Sequence, residues 1–303
     1  MMKKIFAITC HKLNNPLFFT VRYLSSFPDN TVIIHLDKKC NIDDFYELSA
    51  RNVIFTQQRE NIVWGGVSQI KATINLLQES LRLNFEYFFL LSGDDIPVMS
   101  NKDMDNFISR HDGLEFIHFQ DYRNNYVDPV RRVKFRFLNA HYSRRNDFIS
   151  RALRRVHLLF GFLFINKSFS VNEMKFPPLY KGINWFGITK SSVFYILNYI
   201  ENNPWYLNAF ENSLCCDEVF FHSILNTNEN AVFYFDSNAL NNALRYIDWV
   251  SGPQFPKVLT ENDLDKIKQG KVFFARKIPD DMPISLMKKI VEADLKEKEL
   301  LTK

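Results

Sequence analysis

The sequence contains no uninterrupted apolar run of the roughly 18 to 20 residues that a membrane-spanning helix needs. Its N-terminus, MMKKIFAITCHK, begins with basic residues, but the apolar run covers only residues 5–9. A secretory signal needs about 7 to 15 apolar residues followed by a small-residue cleavage site. The sequence therefore predicts neither a membrane anchor nor a signal peptide, and we expect a cytoplasmic protein.

Cysteine and glycine are both scarce, with 4 and 9 copies in 303 residues. Cys10, Cys40, Cys215 and Cys216 show no C-x-x-C spacing, which argues against a disulfide framework or a zinc site. We interpret the adjacent pair as buried thiols beside a loop. No G-x-G-x-x-G, P-loop, H-E-x-x-H or G-x-S-x-G motif is present, which disfavours a glycine phosphate loop and serine hydrolase chemistry.

Phenylalanine is abundant, with 30 copies, and 46% of residues are hydrophobic against 24% charged. This balance is that of a globular protein with a large, Phe-rich core. No repeat or low-complexity linker divides the chain. We predict a single domain over residues 1–280, with a charged helix over residues 281–303.

Short apolar runs alternate with helical patterns through the first half of the chain. The predicted strands include KIFAIT, NTVIIHLD, NVIFTQ and YFFLLSG, and helices are predicted over residues 15–27, 41–51 and 68–83. This alternation predicts an α/β fold with a mostly parallel central sheet flanked by helices. Ligands of such sheets bind beyond the carboxyl ends of the strands.

A basic, partly apolar insert is predicted over about residues 122–175. Residues 122–167 hold eleven Lys and Arg against two acids, a net charge of +9, which leaves −5 for the rest of the chain. This asymmetry indicates an anionic partner. Within the insert, ISRALRRVHLLFGFLFIN favours a core helix with a solvated arginine face. The alternative is a helix in a membrane interface, with Arg151, Arg154 and Arg155 near anionic headgroups.

Several carboxylates fall at the predicted ends of strands and helices. Asp37 and the pair Asp94-Asp95 each follow a strand, and Asp217-Glu218 opens a helix. A carboxylate in such a place can bind a sugar hydroxyl, hold a cation or act as a general base. Acids at helix starts are also ordinary caps.

Six short strings occur in this order along the chain: HLDKK, WGGVSQIKA, YFFLLSGDDIPV, KGINWFGIT, DEVFFHSIL and VFFARKI. Together they resemble the core-2/I-branching enzymes, the β-1,6-N-acetylglucosaminyltransferase and peptide O-xylosyltransferase group of glycosyltransferase family 14. The resemblance runs from about residue 4 to residue 278. It implies a GT-A-like nucleotide-sugar fold and an inverting transfer from a UDP-sugar without the usual metal-binding Asp-x-Asp.

The resemblance also implies the residues of the reaction. The base corresponds to Glu218, with Asp217 as the fallback. In the family, basic side chains near the C-terminus take the place of the metal at the diphosphate. They correspond to Lys277 and Arg245 here, and Arg276 is the other candidate for the position given to Arg245. Cations can stabilise the leaving group by charge and hydrogen bonds alone.

Further positions follow from the other strings. The HLDKK string, with His35 and Asp37, lies at the nucleotide, and Asp37 is expected at the uridine. The remaining expected contacts are on the sugar and acceptor side: Trp64, Gly65, Asp94, Asp95 and Trp185. Trp64 can stack on a sugar face or simply pack.

Animal members of this family carry an anchor and many disulfides, and this sequence predicts neither. We therefore expect a bacterial-type enzyme that moves GlcNAc or xylose from a UDP-sugar to a glycan or lipid-linked glycan in surface polysaccharide synthesis. We expect no metal cofactor and no nucleic acid partner. We do expect peripheral contact with the inner face of the membrane. Two alternatives stay open: a metal-dependent GT-A transferase that uses Asp94 and Asp95, and a non-catalytic membrane or anionic-polymer binder that uses residues 122–167.

Overall fold

The computed structural model describes residues 2–143, 147–253 and 255–291. Strands and α-helices alternate through the first half, and short helices dominate the middle. In chain order the elements are β1 (Lys4–Cys10), α1 (Asn15–Ser25), β2 (Asn30–Leu36), a 3-10 helix (Ile42–Leu48), β3 (Val53–Phe55), α2 (Val67–Ser80), β4 (Tyr87–Ser92), β5 (Ile96–Pro97), α3 (Asn101–Arg110), β6 (Leu114–Glu115), α4 (Pro129–Lys134), α5 (Asn139–Tyr142), α6 (Phe148–Leu159), a 3-10 helix (Gly161–Phe164), α7 (Lys167–Asn172), a 3-10 helix (Glu173–Lys175), β7 (Gly187–Thr189), α8 (Lys190–Asn202), α9 (Pro204–Ala209), α10 (Asp217–Leu225), β8 (Val232–Phe233), β9 (Arg245–Ile247), a 3-10 helix (Glu261–Asp263), α11 (Leu264–Gln269), β10 (Phe274–Arg276) and α12 (Ile284–Ile290).

The central sheet has the strand order β3-β2-β1-β4-β7. Four of its strands are parallel, and β7 pairs antiparallel with β4. In the middle of the sheet, Phe6 lies opposite Val32 on one side and Phe89 on the other. The continuous apolar strands are buried on both faces, as parallel strands usually are. The predicted fold class, α/β with a mostly parallel sheet between helices, is confirmed.

Helices cover both faces of this sheet, and the sheet separates the core into two halves. On one face, α1 contributes Phe19 and Tyr23. On the other, α2, α8 and α10 contribute Ile70, Val193 and Phe220. The helix α1 begins where the Asn14 side chain accepts a hydrogen bond from the Leu17 amide, with a proline in the first turn. Phenylalanine is abundant because aromatic pairs fill both halves of the core, which confirms the predicted Phe-rich core.

A second, three-stranded sheet of order β5-β10-β9 stands at the carboxyl edge of the central sheet. Strand β10 runs antiparallel to β5 and parallel to β9. This small sheet brings residues near 245 and 276 back to the end of β4. It therefore joins the C-terminal part of the chain to the edge at which a parallel sheet binds ligands.

Two expectations about local structure differ from what is observed. The helix expected over residues 41–51 is a 3-10 helix, Ile42–Leu48. The interpretation of residues 149–166 as a core helix is wrong, because His157 is the one buried residue of α6. Of the charged helix expected over residues 281–303, α12 is observed and its Met287 is buried in the core. Residues 292–303 lie outside the described residues, and the domain assignment stays a prediction.

Candidate active site

Two peptide segments meet at the carboxyl end of strand β1. The Asp37 amide donates to the carbonyl of Cys10 at 2.9 Å, and the Gly93 amide donates to the carbonyl of Thr9 at 3.0 Å. The loops after β2 and β4 therefore lie side by side, as the parallel pairing requires. The predicted strand-end groups at Asp37 and at Asp94 consequently share one edge of the sheet.

Asp95 is the buried centre of a charge cluster at this edge. One carboxylate oxygen accepts from the Ser92 amide at 2.8 Å. The Arg276 Nε atom lies 2.9 Å from the other oxygen, and Arg245 Nη1 lies 3.7 Å from the carboxylate. Burial raises the pKa of Asp95, and the two guanidinium groups oppose that shift. The cluster exists because β10 pairs with both β5 and β9.

The three cations of this cluster differ in accessibility. The side chain of Arg245 is 1% exposed, that of Arg276 is 14% exposed and that of Lys277 is 32% exposed. Lys277 Nζ lies 3.6 Å from Asp94 Oδ2. A ligand at this edge can therefore reach Arg276 and Lys277 directly, whereas Arg245 is enclosed.

Arg245 has the surroundings of a structural cation. Its Nη2 donates to the carbonyl of Leu90 at 2.8 Å, and its guanidinium lies 4.4 Å from the ring centre of Phe274. Burial lowers its pKa to about 10, so it remains charged at neutral pH. The diphosphate role of Arg245 stays a prediction, and Arg276 is the more exposed of the two arginines.

Trp185 links the cation cluster to the segment that contacts Glu218. Its ring centre lies 4.2 Å from the guanidinium carbon of Arg276, a cation–π contact. The segment before β7 that carries Trp185 also carries Lys181 and Gly182. Lys181 Nζ lies 3.1 Å from Glu218 Oε2, and the Gly182 amide donates to the Glu218 carbonyl at 2.9 Å.

Glu218 and Asp217 open α10 but occupy different environments. The Glu218 side chain is 26% exposed, and it lies 3.9 Å from Arg132 Nη2 in addition to its contact with Lys181. Asp217 is buried, and burial together with the neighbouring Glu218 raises its pKa to about 7. Glu218 is therefore the more accessible of the two carboxylates.

Trp64 and Gly65 lie against the loop that precedes Glu218. The carbonyl of Gly65 accepts from the Cys215 amide at 2.7 Å, and Gly65 has a positive φ of 71°. The Trp64 side chain is about half exposed. Cys215 and Cys216 are free thiols, and Cys216 is buried as predicted, whereas Cys215 is only partly buried. These contacts place the tryptophan on the same side of the molecule as α10.

Asp37 and His35 lie beside a polar cavity of about 380 Å³ lined by Lys38, Gln57, Gln58, Arg59 and Glu60. The Asp37 carboxylate is buried and accepts from the Lys39 amide at 3.0 Å. His35 is fully buried, and its Nε2 accepts from the Glu60 amide at 3.0 Å. Burial lowers the pKa of His35, which keeps it neutral for that bond. His35 therefore positions the cavity wall rather than forming part of it.

A second open cavity, of about 600 Å³, lies beside Glu218. Its lining residues come from the basic insert and from the loop before α10: Tyr126, Val127, Asp128, Arg131, Arg132, Phe137 and Leu214. Arg132 belongs both to this lining and to the surroundings of Glu218. Sequence reasoning missed Lys181 and Arg132 as partners of Glu218. The signal that could have found Lys181 is its position at the start of the string KGINWFGIT.

Among residues 2–143, 147–253 and 255–291, no three His, Cys, Asp or Glu side chains stand close enough to hold a metal ion. In the same part of the chain, no helix combines the length and the apolar character that crossing a bilayer requires.

A family model described as Core-2/I-Branching enzyme matches residues 5–268. Xylosyltransferase sqv-6 of Caenorhabditis briggsae is 21% identical over 242 residues, which is 76% of this chain and 26% of that protein. Xylosyltransferase oxt of Drosophila melanogaster is 21% identical over 274 residues, 82% of this chain and 28% of that one. Mouse xylosyltransferase 2 is 23% identical over 227 residues, 71% and 23% of the two chains. The chain thus spans about a quarter of the length of these relatives.

Among solved structures, a Bacillus anthracis protein assigned as a glucose-1-phosphate thymidylyltransferase superposes with a TM-score of 0.33 at 13% identity, covering 70% of this chain and 85% of that one. A similarity of this size supports no argument.

Proposed function

The chain belongs to the Core-2/I-Branching enzyme family, and on this premise we propose that it is an inverting glycosyltransferase that moves a sugar from a UDP-sugar to a hydroxyl of a glycan. The observation that carries the proposal is the accessible pair Arg276 and Lys277 beside Asp94 and Asp95 at the carboxyl edge of the sheet. Two reachable cations at that edge suit a diphosphate leaving group.

The reaction is a single in-line displacement. The acceptor hydroxyl oxygen forms a bond to the anomeric carbon while the bond from that carbon to the diphosphate oxygen breaks. Glu218 accepts the hydroxyl proton, because its carboxylate is the accessible one at the start of α10. Arg276 and Lys277 stabilise the negative charge that develops on UDP. Arg245 does not contact UDP, and its role is to hold the Asp95 carboxylate in place.

We propose that this transfer needs no divalent metal. Asp94 and Asp95, the carboxylates that would bind Mg²⁺ or Mn²⁺ in the metal-dependent alternative, already lie within 4 Å of Lys277, Arg245 and Arg276. A cation that entered between them would have to displace these charged groups. The same side chains thus supply at the diphosphate the positive charge that a metal would otherwise bring.

UDP-xylose and UDP-GlcNAc are the first sugar donors to test, because the relatives are named xylosyltransferases and the family is named for branching enzymes. The acceptor that we propose is a lipid-linked glycan of a surface polysaccharide, met at the inner face of the membrane. The cavity beside Glu218 supports an acceptor with phosphate groups, since Arg131 and Arg132 both line it.

The test is binding and slow hydrolysis across a panel of nucleotide sugars, each measured with and without EDTA. A UDP-sugar that binds and is hydrolysed equally in EDTA supports the proposed mechanism and names the sugar. Activity that EDTA abolishes and Mg²⁺ or Mn²⁺ restores would assign a metal to Asp94 and Asp95 instead. If no nucleotide sugar binds, the proposal fails, and the non-catalytic alternative through residues 122–167 takes its place.

A further inference from the structure

The helix α6 has its apolar side turned away from the protein. Phe148, Ala152, Val156 and Leu159 recur every three or four residues, which places them on one helix face, and all four are exposed. The 3-10 turn that follows the helix adds more exposed apolar side chains. The large apolar residues with the greatest exposure in this stretch are Phe148 (78%), Ile149 (70%), Leu158 (80%), Leu159 (65%), Phe162 (66%) and Leu163 (67%).

The opposite, polar face of α6 is the one that contacts the protein. His157 is buried, and its Nε2 lies 2.9 Å from the carbonyl of Arg136. Arg154 Nη1 donates to the carbonyl of Ala140 at 3.3 Å. A helix of a globular protein normally buries its apolar face and exposes its polar one. The reversed arrangement leaves an apolar surface that needs a partner.

The charge around this surface identifies the chemistry of that partner. Arg151 and Arg155 are exposed on α6, and no Asp or Glu occurs between Phe148 and Asn172. A second copy of the chain is a poor occupant, because a two-fold contact would bring two sets of arginines together. An anionic lipid surface satisfies both properties, since its headgroups attract the arginines and its acyl region accepts the phenylalanines and leucines.

We propose that residues 148–165, the docking surface, lie in the interface of an anionic lipid bilayer. The contacts of this surface also relate it to the active site. Ile165 forms a bridge with Phe135, and the Arg136 amide donates to the carbonyl of Phe164 at 2.7 Å. The adjacent helix α4 carries Arg131 and Arg132 into the cavity beside Glu218. Docking would bring that cavity to the membrane, where a lipid-linked acceptor lies, and this last step rests on the proposed function.

The experiment is cosedimentation of the full chain with phosphatidylcholine vesicles, with and without phosphatidylglycerol. Binding is expected to the vesicles that contain phosphatidylglycerol and to weaken as salt is raised. The change Phe148→Ser/Leu159→Ser is expected to weaken binding by about tenfold or more, through lost apolar burial. The matched control, Phe194→Ser/Val232→Ser, alters two exposed apolar residues elsewhere and should bind as the unchanged chain does.

A second pair of variants tests the charge. Arg151→Gln/Arg155→Gln is expected to lower binding by on the order of tenfold, whereas the exposed pair Arg51→Gln/Arg110→Gln should change it little. No vesicle binding, equal binding to both vesicle types, or a dimer in sedimentation velocity that Phe148→Ser/Leu159→Ser dissociates would overturn the proposal. UDP-sugar hydrolysis by the unchanged chain is measured in parallel without lipid. If the chain binds vesicles but hydrolyses no UDP-sugar, the result counts against the proposed function and not against docking.

Discussion

The Nζ atom of Lys181 lies 3.1 Å from Oε2 of Glu218, and the next residue, Gly182, donates its amide to the Glu218 carbonyl. Two contacts therefore fix the start of α10 against the segment that leads to Trp185. Through Trp185 and its cation–π contact with Arg276, the same segment reaches the cation cluster. The proposed base and the proposed diphosphate cations are thus joined by one short stretch of chain.

Glu218→Gln is expected to lower the rate of sugar transfer by about 10²- to 10⁴-fold, because the amide cannot accept the hydroxyl proton. UDP binding should stay within about twofold of the unchanged protein, since Arg276 and Lys277 are untouched. Single-turnover transfer and calorimetric titration with UDP measure the two effects. Glu229→Gln, at an exposed glutamate, is the control. Turnover that survives Glu218→Gln would remove Glu218 as the base.

Lys277→Ala is expected to weaken UDP binding by roughly 10- to 100-fold, the effect of losing one charge-assisted contact. Uridine binding should change little, because uridine has no diphosphate. Titrations of both ligands, with Lys268→Ala as the control for an exposed lysine, separate the two effects. An equal loss for uridine and UDP would contradict a diphosphate role.

Arg245→Met is expected to lower the free energy of unfolding by about 3 to 5 kcal/mol, because it leaves the buried Asp95 with one guanidinium partner fewer. Arg276→Met changes a more exposed side chain. It should therefore lower the free energy of unfolding less than Arg245→Met does, and it should weaken UDP binding more. Urea unfolding and UDP titration of both variants give the comparison. If Arg245→Met kept its stability and lost UDP binding, Arg245 would be the diphosphate ligand that the family resemblance implies.

The strands and their order along the chain could be predicted because their signals are local. Apolar runs such as YFFLLSG mark buried parallel strands, and the polar residues that end them necessarily lie at one edge of the sheet. The predicted groups at Asp37 and at Asp94 and Asp95 are found there. Motif order likewise identified the family, which the match over residues 5–268 confirms.

The pairing of charges within the site could not be predicted, because it depends on long-range packing. Arg245 and Asp95 are 150 residues apart in sequence, and only the pairing of β5, β10 and β9 brings them together. Residue type alone does not separate a buried structural arginine from an accessible one. For a related reason the sequence left two interpretations of α6 open, a core helix and a helix in a membrane interface: periodicity shows that a helix has two faces but not which one meets the protein.

Asp217→Asn is expected to remove a pH dependence of stability. The folded protein raises the pKa of Asp217 to about 7, whereas an unfolded Asp has a pKa of about 3.9. Between these values the folded state keeps a proton that the unfolded chain has released, so the free energy of unfolding falls as pH rises from about 4 to about 7. The fall should approach on the order of 4 kcal/mol for this group.

Urea unfolding of the unchanged protein and of Asp217→Asn at several pH values from 4 to 8 measures this effect. The difference between their unfolding free energies should grow across that range in favour of the variant and then level off. Asp112→Asn, at an exposed aspartate, is the control and should follow the unchanged protein. Parallel curves for the protein and Asp217→Asn would show that Asp217 is ionised in the folded state well below neutral pH.

Gly182→Ala is expected to reduce both stability and transfer. A Cβ atom at Gly182 would lie 1.8 Å from the carbonyl oxygen of His118 and 2.3 Å from Nε2 of His222. His222 is fully buried on α10, so neither neighbour has free space into which to move. The backbone at residue 182 must then shift, which moves Lys181 away from Glu218. We expect a loss of about 3 kcal/mol or more in unfolding free energy and a lower transfer rate.

Gly161→Ala is the matched control, because a Cβ there would meet Phe135 at an ordinary 3.5 Å. Unfolding and transfer are measured for both variants at a temperature at which Gly182→Ala is still folded. A second variant, Lys181→Met, removes the ion pair without the steric clash and should lower transfer with little change in stability. If Gly182→Ala matched Gly161→Ala in both measurements, the close approach of this segment to α10 would not position Glu218.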